Sequence, residues 1–193
     1  IKRKKFNPFA IQHTKDNIYK FSDIKNKKKT LSELEKLEPI LELVEDDKNR
    51  LDTFNILRTM IHTLEWNPNP GRVLKFIVKD KVTEKYLGII TCGSDFTTLG
   101  VRDDFIGWSD LHKFEKSKLN NTSVVSSIVP VQPFGYNFLG GKLLACISTS
   151  SYIRKCWKQR YNDILIGNTT TSLYGDYSMY NSIPLWKKLG HSK

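Results

Sequence analysis

The sequence has few cysteines and no long hydrophobic run. Its three cysteines, Cys92, Cys146 and Cys156, form no CxxC pair, and its four histidines show no metal-ligand spacing. No apolar segment approaches the roughly 18–20 residues that cross a bilayer, and no such segment follows the basic start at residues 2–5. We therefore expect no metal site, no membrane insertion and a reduced, cytoplasmic setting.

Positive charge, in contrast, is plentiful and unevenly distributed. The net charge is +11, of which residues 1–30 contribute +8, residues 31–70 contribute −5 and residues 71–193 contribute +8. Clustered lysines and a pI near 9.5 are typical of proteins that bind nucleic acid. The charge predicts a nucleic-acid partner, and a solvated basic tail without a partner is the alternative.

The same patterns divide the chain into three parts. Residues 1–30 combine two lysine clusters with few aliphatic side chains, which predicts a basic N-terminal arm. Residues 31–70 predict a helical element. Residues 71–193 mix short apolar runs with helical patterns, which predicts an α/β domain.

The helical element is predicted from the spacing of its apolar residues. Thr30 and Glu33 match a capping box, and leucines then recur at helical spacing as far as Val44. Pro39 interrupts this pattern, so we expect a kink there or two short helices. A second helix is predicted over residues 50–64.

Strands and helices alternate in the α/β domain. Strands are predicted over residues 73–78, 86–91, 123–131 and 164–172, helices over residues 109–118, 139–148, 151–160 and 178–188, and a loop over residues 93–109. The polar segment between the first two strands predicts an antiparallel hairpin. The expected fold class is α/β, or α+β, with a mixed and mostly antiparallel sheet flanked by helices.

A glycine-bearing loop follows the strand at residues 123–131 and leads into a helix. Its candidate ligand-binding residues are Gln132, Gly135, Asn137, Gly140, Gly141 and Lys142. Unpaired N–H groups and the helix dipole attract an anion at a helix N-terminus, and glycines allow close approach of a phosphate. The spacing fits neither a Walker A loop nor a GxGxxG motif. The alternative is a tight turn whose glycines serve only helix–strand packing.

A second cluster of polar side chains follows the last predicted strand. Its candidate residues are Ser172, Tyr174, Asp176, Tyr180 and Asn181. Tyr174 is the first choice for proton transfer, Tyr180 is the second, and Ser172 or Asp176 would orient a substrate. A polar loop that uses these side chains for turns is the alternative.

A third cluster contains Arg102, Asp103 and Asp104. Neighbouring carboxylates point in different directions in an extended chain, so a salt bridge with Arg102 is the ordinary interpretation. The functional interpretation is that Asp103 and Asp104 support a nearby pocket.

The order of hairpin, strand, glycine loop, helix, strand and helix resembles the GNAT fold. The segment YLGII at residues 86–90 resembles its second hairpin strand, and residues 181–191 resemble its late helix and return strand. The resemblance implies an acyl-coenzyme A donor whose pyrophosphate sits on the glycine loop and on the helix N-terminus that follows it.

A more specific resemblance is to the DruA family of the Druantia antiphage defence systems, which also has phage and mobile-element members. It is carried by RDDFIGW at residues 102–108, LGGKL at residues 139–143, TTTSLYG at residues 169–175 and LGH at residues 189–191. It runs from about residue 71 to residue 193, and residues 1–70 show none. Family members commonly continue past the glycine-histidine step, so we expect the C-terminal end to be missing.

The leading hypothesis is a GNAT-like group transferase that acts on nucleic acid in a bacterial or phage-infected cell. The phage Mom protein, a GNAT-like enzyme that modifies adenine in DNA, is a looser analogy and favours DNA as the partner. Three alternatives stay open: a non-catalytic nucleic-acid-binding module, a virion or scaffold protein, and a metal-dependent nuclease. The nuclease would use Asp103, Asp104 and Asp176. The sequence leaves the oligomeric state open.

Overall fold

The fold is α+β in the part of the chain that the structure describes. A computed structural model describes residues 6–45, 47–61, 70–137, 139–172, 175 and 178–190, without the side chains of residues 136 and 137. The described helices are α1 (Pro8–Asp16), α2 (Lys27–Glu35), α3 (Lys48–Ile61), α4 (Gly100–Ile106), α5 (Phe134–Asn137), α6 (Gly140–Ile147) and α7 (Ser151–Tyr161). The strands are β1 (Pro39–Leu43), β2 (Val73–Asp80), β3 (Tyr86–Ser94), β4 (Thr122–Pro130) and β5 (Gly167–Thr169).

The five strands form one mixed sheet in the order β1-β2-β3-β4-β5. β1 is antiparallel to β2, with Pro39 opposite Asp80. A tight turn joins β2 to β3, and Asp80 N–H donates to Lys85 O over 2.9 Å, as expected of an antiparallel hairpin. β4 and β5 are parallel, with Thr122 opposite Gly167. The predicted fold class and hairpin are confirmed.

The chain divides into two compact units, each with a core of its own. The first consists of Ile1–Trp66, Lys75–Ile90 and Ile128–Leu144, and the second of Asn67–Leu74, Thr91–Ser127 and Ala145–Lys193. Buried side chains of the first unit include Phe54, Leu57, Phe76, Ile89 and Phe134, and those of the second include Cys92, Val125, Ile153, Trp157 and Leu165. The three-part division predicted from the sequence stays a prediction.

The predicted first helix is wrong at both of its ends. α2 begins at Lys27, because Asn26 rather than Thr30 caps it: Asn26 Oδ1 accepts a hydrogen bond from Lys29 N–H over 3.1 Å. The helix does not continue to Val44, because the residues from Pro39 to Leu43 pair with β2 as strand β1. Proline removes a helical hydrogen bond, and strand pairing overrides the apolar spacing beyond it. The second predicted helix is confirmed as α3 up to residue 61, and its predicted last residues, 62–64, lie outside the described residues.

Two further predictions differ from the structure near the functional clusters. The predicted loop over residues 93–109 contains helix α4, which ends at Gly107 with φ +76°. The predicted helix over residues 178–188 is a series of turns. Pro184 lacks a backbone N–H, and Ser182 and Leu185 have φ values of 61° and 70°, which no helix accommodates.

Gly88 lies where β3 approaches β4 and α6 too closely for any side chain. A Cβ there would lie 2.5 Å from the carbonyl oxygen of Val129, 2.9 Å from Cα of Pro130 and against the Leu144 side chain. Backbone atoms cannot move away cheaply. We expect Gly88→Ala to lower the free energy of unfolding by about 1–3 kcal/mol in urea denaturation.

Gly100→Ala is the matched control, because a Cβ there would meet nothing within 4 Å and the residue begins α4. Its free energy of unfolding should stay unchanged or rise by up to about 1 kcal/mol. Equal stability of the two variants would contradict the close packing at Gly88.

Candidate functional site

The glycine loop of the first unit is organised around Phe134, which is buried. The ring of Phe134 lies edge-on to Tyr19, with ring centroids 5.8 Å apart, and 6.3 Å from the ring of Phe21. Tyr19 and Phe21 are themselves buried. Part of the segment predicted as a basic arm therefore packs beneath the loop.

Two of the loop's glycines are required by packing. A Cβ at Gly140 would lie 2.5 Å from the Phe134 ring and 2.8 Å from the carbonyl oxygen of Phe134, and a Cβ at Gly135 would overlap Pro130. These contacts favour the packing interpretation for both positions. Any anion would therefore be bound by the backbone N–H groups at the start of α6 rather than by the space that the glycines leave.

The other candidates in this loop lie at different depths. Gln132 is exposed, Gly141 is buried and Lys142 is half-buried at the start of α6. Lys142 interacts with groups of the protein itself. The side chain of Asn137 lies outside the described residues.

Arg102 is the centre of a buried ion cluster in the second unit. Its guanidinium is 1% exposed and lies between two carboxylates. Nε and Nη2 donate to Asp103 Oδ1 over 2.9 and 2.5 Å. Nη1 donates to Phe96 O over 2.8 Å and lies 3.0 Å from Asp95 Oδ2, an ion contact whose angle falls short of a hydrogen bond.

Lys113 is the second cation of this cluster. Its Nζ lies 2.9 Å from Asp103 Oδ2 and 3.0 Å from Asp110 Oδ1. Burial alone would raise the pKa of Asp103, but hydrogen bonds from Lys113 and Arg102 outweigh it and hold this pKa below its ordinary value. Both Asp103 oxygens are occupied by internal cations, so this carboxylate is held as a charged structural group. Asp104, its neighbour, is exposed.

A row of hydroxyl groups connects the ion cluster to β5. Thr169 Oγ1 donates to Asp95 Oδ1 over 2.6 Å, and Thr170 Oγ1 donates to Val125 O over 3.0 Å. Ser123 Oγ donates to Asn168 Oδ1 over 2.7 Å on the neighbouring strand. The predicted clusters around Asp103 and beyond β5 are thus linked through Asp95.

Tyr180 lies further along the same hydroxyl row. Burial raises the pKa of its phenol above the ordinary value, and a hydrogen bond with Thr170 opposes part of this shift. Its ring stacks on Trp186, with centroids 5.4 Å apart and planes 14° apart. The phenol therefore stays protonated at neutral pH and can donate a proton or a hydrogen bond.

The other candidate residues of this second cluster differ in exposure, and two of them are not described. Ser172 is half-buried and Asn181 is exposed, and both interact with groups of the protein. Tyr174 and Asp176 lie outside the described residues. Among the described residues, no three His, Cys, Asp or Glu side chains are placed to hold a metal ion.

The sequence prediction missed Asp95 and Lys113. A signal for Asp95 existed, since a carboxylate directly follows the apolar run of β3 and is fully buried there. A buried carboxylate requires a cation nearby, and Arg102 follows within eight positions. No comparable sequence signal marks Lys113, because the pattern of the residues around it predicts an ordinary surface helix.

Replacing Asp103 tests whether the ion cluster is structural. We expect Asp103→Asn to lower the free energy of unfolding by about 2–3 kcal/mol at pH 7, since the buried guanidinium loses one of its two charged partners and the Lys113 ammonium loses a buried one. The Asp103 contribution exists above the unfolded carboxyl pKa of about 3.9 and is lost as the pH falls through the lower folded pKa. The difference between wild type and variant should therefore shrink as the pH falls below about 4.

The control is Asp104→Asn, one position away and exposed. It should change the free energy of unfolding by less than about 0.5 kcal/mol across the same pH range. Urea denaturation across this pH range measures both. A pH-independent difference for Asp103→Asn would show that the charge of Asp103 does not stabilise the fold.

Comparison with known proteins gives a family for the chain. The family model described as Druantia protein DruA matches residues 2–193, so the match also covers residues 1–70, where the sequence motifs showed no resemblance. A curated relative, Druantia protein DruA of Escherichia coli (strain UMEA 4076-1), is 31% identical over 163 residues, which are 78% of this chain and 39% of the relative. The chain thus matches well under half of that relative's length. No solved structure matches the chain. With a family model covering nearly every residue, the chain belongs to the DruA family.

Proposed function

We propose that this chain binds nucleic acid in an antiphage-defence setting and that the exposed face of α7 is its main binding surface. Ile153, Cys156 and Trp157 are the buried face of this helix. The opposite, exposed face carries Arg154, Lys155 and Lys158, and the helix contains no acidic residue. Arg160 is also exposed, in the last turn of the helix, on the side of the buried residues. Three cations on one side of an 11-residue helix, with a fourth at its end, favour a polyanion. Membership of the DruA family supports the setting.

α7 is held firmly enough to present these cations as a fixed array. Trp157 Nε1 donates to Asn120 O over 3.4 Å, and the Tyr161 hydroxyl both accepts from Val73 N–H over 2.9 Å and donates to Val73 O over 3.0 Å. The Arg72 guanidinium lies 5.1 Å from the centroid of the Tyr161 ring. These contacts fix the buried side of the helix and leave the charged side to solvent.

The α7 cations are not neutralised by carboxylates of the described ranges. Arg154, Lys155 and Arg160 form no ion pair there, and Lys158 Nζ donates to Asn162 O over 2.8 Å, an uncharged acceptor that leaves the charge of the ammonium unbalanced. The nearest acidic residue in the sequence, Asp163, is paired with Arg72 over 2.6 Å. A phosphate backbone is the partner that such free cations fit.

Neutralising the α7 face tests the binding surface. We expect Arg154→Gln, Lys155→Gln and Arg160→Gln together to weaken affinity for duplex DNA at least tenfold, because three phosphate contacts are lost. The slope of log affinity against log salt should fall by about 2–3. Fluorescence anisotropy between 50 and 200 mM salt measures both.

The matched control removes three lysines of α2, Lys27→Gln, Lys28→Gln and Lys29→Gln, from the region predicted as a basic arm. We expect a smaller loss from this variant. Wild-type affinity in the α7 variant, with an unchanged melting temperature, would contradict the proposal. Loss only in the α2 variant would assign the function to the arm.

A GNAT-like group transferase is the second candidate, and the β4–β5 pair favours it. β5 is parallel to β4 and, within the described residues, pairs with the first three residues of β4, Thr122, Ser123 and Val124. The loop and α6 follow the far end of β4. This arrangement agrees with the splayed strand and donor loop that the GNAT resemblance implies. The hypothesis assigns donor binding to Gln132, Gly135, Asn137, Gly140, Gly141 and Lys142. It assigns proton donation to Tyr174 or Tyr180, and supporting roles to Ser172, Asp176, Asn181, Asp103 and Asp104.

Titration with acetyl-coenzyme A tests the donor assignment by calorimetry. We expect binding that Lys142→Ala weakens about tenfold, because one cation near the phosphates is lost. Lys28→Ala, exposed on α2, is the control and should bind as wild type does. Absence of heat at millimolar ligand, while DNA still binds, would favour the non-catalytic module.

A further inference from the structure

We propose that an apolar groove in the second unit holds an unstacked base of single-stranded nucleic acid, which rests on the proposed function. The groove has a volume of about 540 Å³ and is lined by Ile106, Trp108, Lys118, Asn121, Ile164 and Ile166, among others. This volume is within the range of about 300–1,000 Å³ that is typical of ligand sites. Its lining joins one aromatic ring, several aliphatic chains and one cation.

The walls of the groove are held in place before any ligand binds. Asn121 Nδ2 donates to Ile164 O, and Ile166 N–H donates to Asn121 O, both over 2.8 Å. On the other side, Trp108 N–H donates to Asp103 O over 2.8 Å. The Arg102 guanidinium lies 5.5 Å from the centroid of the Trp108 ring. The ion cluster thus positions the aromatic wall.

The aliphatic wall is unusually exposed. Ile164 is 62% and Ile166 is 69% exposed, and Ile106 across the groove is 42% exposed. Exposed branched chains that face one groove gain free energy when an apolar surface covers them. A nucleobase has an apolar face and a polar edge, which suits a groove with Trp108 and Asn121 among its walls.

Charge complementarity selects nucleic acid as the occupant rather than another apolar surface. Lys118 lines the groove, is exposed, and is joined there by no acidic residue of the described chain. Arg160, in the last turn of α7, lies four residues before Ile164, so their Cα atoms are at most about 15 Å apart. A strand with a phosphate on Arg160 is therefore within a few nucleotides of the groove. Bases of a duplex are stacked and paired, so the occupant must be single-stranded or locally unpaired.

Comparing single-stranded and duplex oligonucleotides tests the groove with the full chain. The variant is Ile164→Ser with Ile166→Ser, and the control is Val82→Ser, a residue of similar exposure outside the groove. We expect the variant to weaken single-strand affinity about tenfold and duplex affinity less than twofold. A single strand carrying 5-iodouracil should crosslink on irradiation to the peptide that contains Trp108, as mapped by mass spectrometry.

Each other outcome overturns the groove assignment in a distinguishable way. Failure of both oligonucleotides to bind the wild type overturns the proposed function together with it. Tight binding that the variant leaves unchanged, or crosslinks that avoid Trp108, overturns the groove alone. If the variant changes the sedimentation mass but not the affinity, this face is an interface between copies of the chain and not a base-binding groove.

Discussion

The ion cluster around Arg102 is the constraint on which the second unit depends. One buried guanidinium joins the carboxylate that follows β3, Asp95, to the carboxylate in α4, Asp103, and it also faces the ring of Trp108. Lys113 and Thr169 attach the π-helical turn Leu111–Glu115 and strand β5 to the same two carboxylates. Buried ion pairs add little net stability over a well-packed apolar core, but losing one partner is costly. The cluster therefore links these segments through charged groups whose single loss destabilises the unit.

The fold was predictable where the sequence pattern and the tertiary environment agree. The hairpin strands and β4 follow from short apolar, β-branched runs, and α6 and α7 follow from helical patterns. The residues of these elements meet a core that suits these patterns. Pro39–Leu43 was mispredicted because leucines at helical spacing also supply one face of a short strand, and only pairing with β2 decides between the two. Helix α4 has too little apolar content for its periodicity to be visible, and it is held by Arg102 and Asp103 instead.

The segments that form the candidate site were predictable from their motifs, but the side-chain contacts within it were not. Glycines at positions 135 and 140 suggested close approach of a phosphate, whereas the atoms that approach them closely belong to Pro130 and Phe134. Asp103 read as one half of a pair with Arg102, and that pair exists. Its second cation, Lys113, lies ten residues away on a turn whose geometry no local pattern encodes. The basic face of α7 was visible in the sequence but was overshadowed by the denser lysines near the N-terminus.

The proposed nucleic-acid surface consists of α7 and of the groove that Ile164 and Ile166 help to line. Its parts have separate origins: the cations come from the composition of α7, the apolar exposure from the two isoleucines before β5, and the position of Trp108 from its contact with the ion cluster. The most direct measurement is lysine acetylation footprinting by mass spectrometry, with and without single-stranded DNA. The account predicts that DNA protects Lys155 and Lys118 while Lys27 and Lys28 stay reactive. Protection confined to the N-terminal lysines, with Lys155 and Lys118 equally reactive in both states, would contradict it.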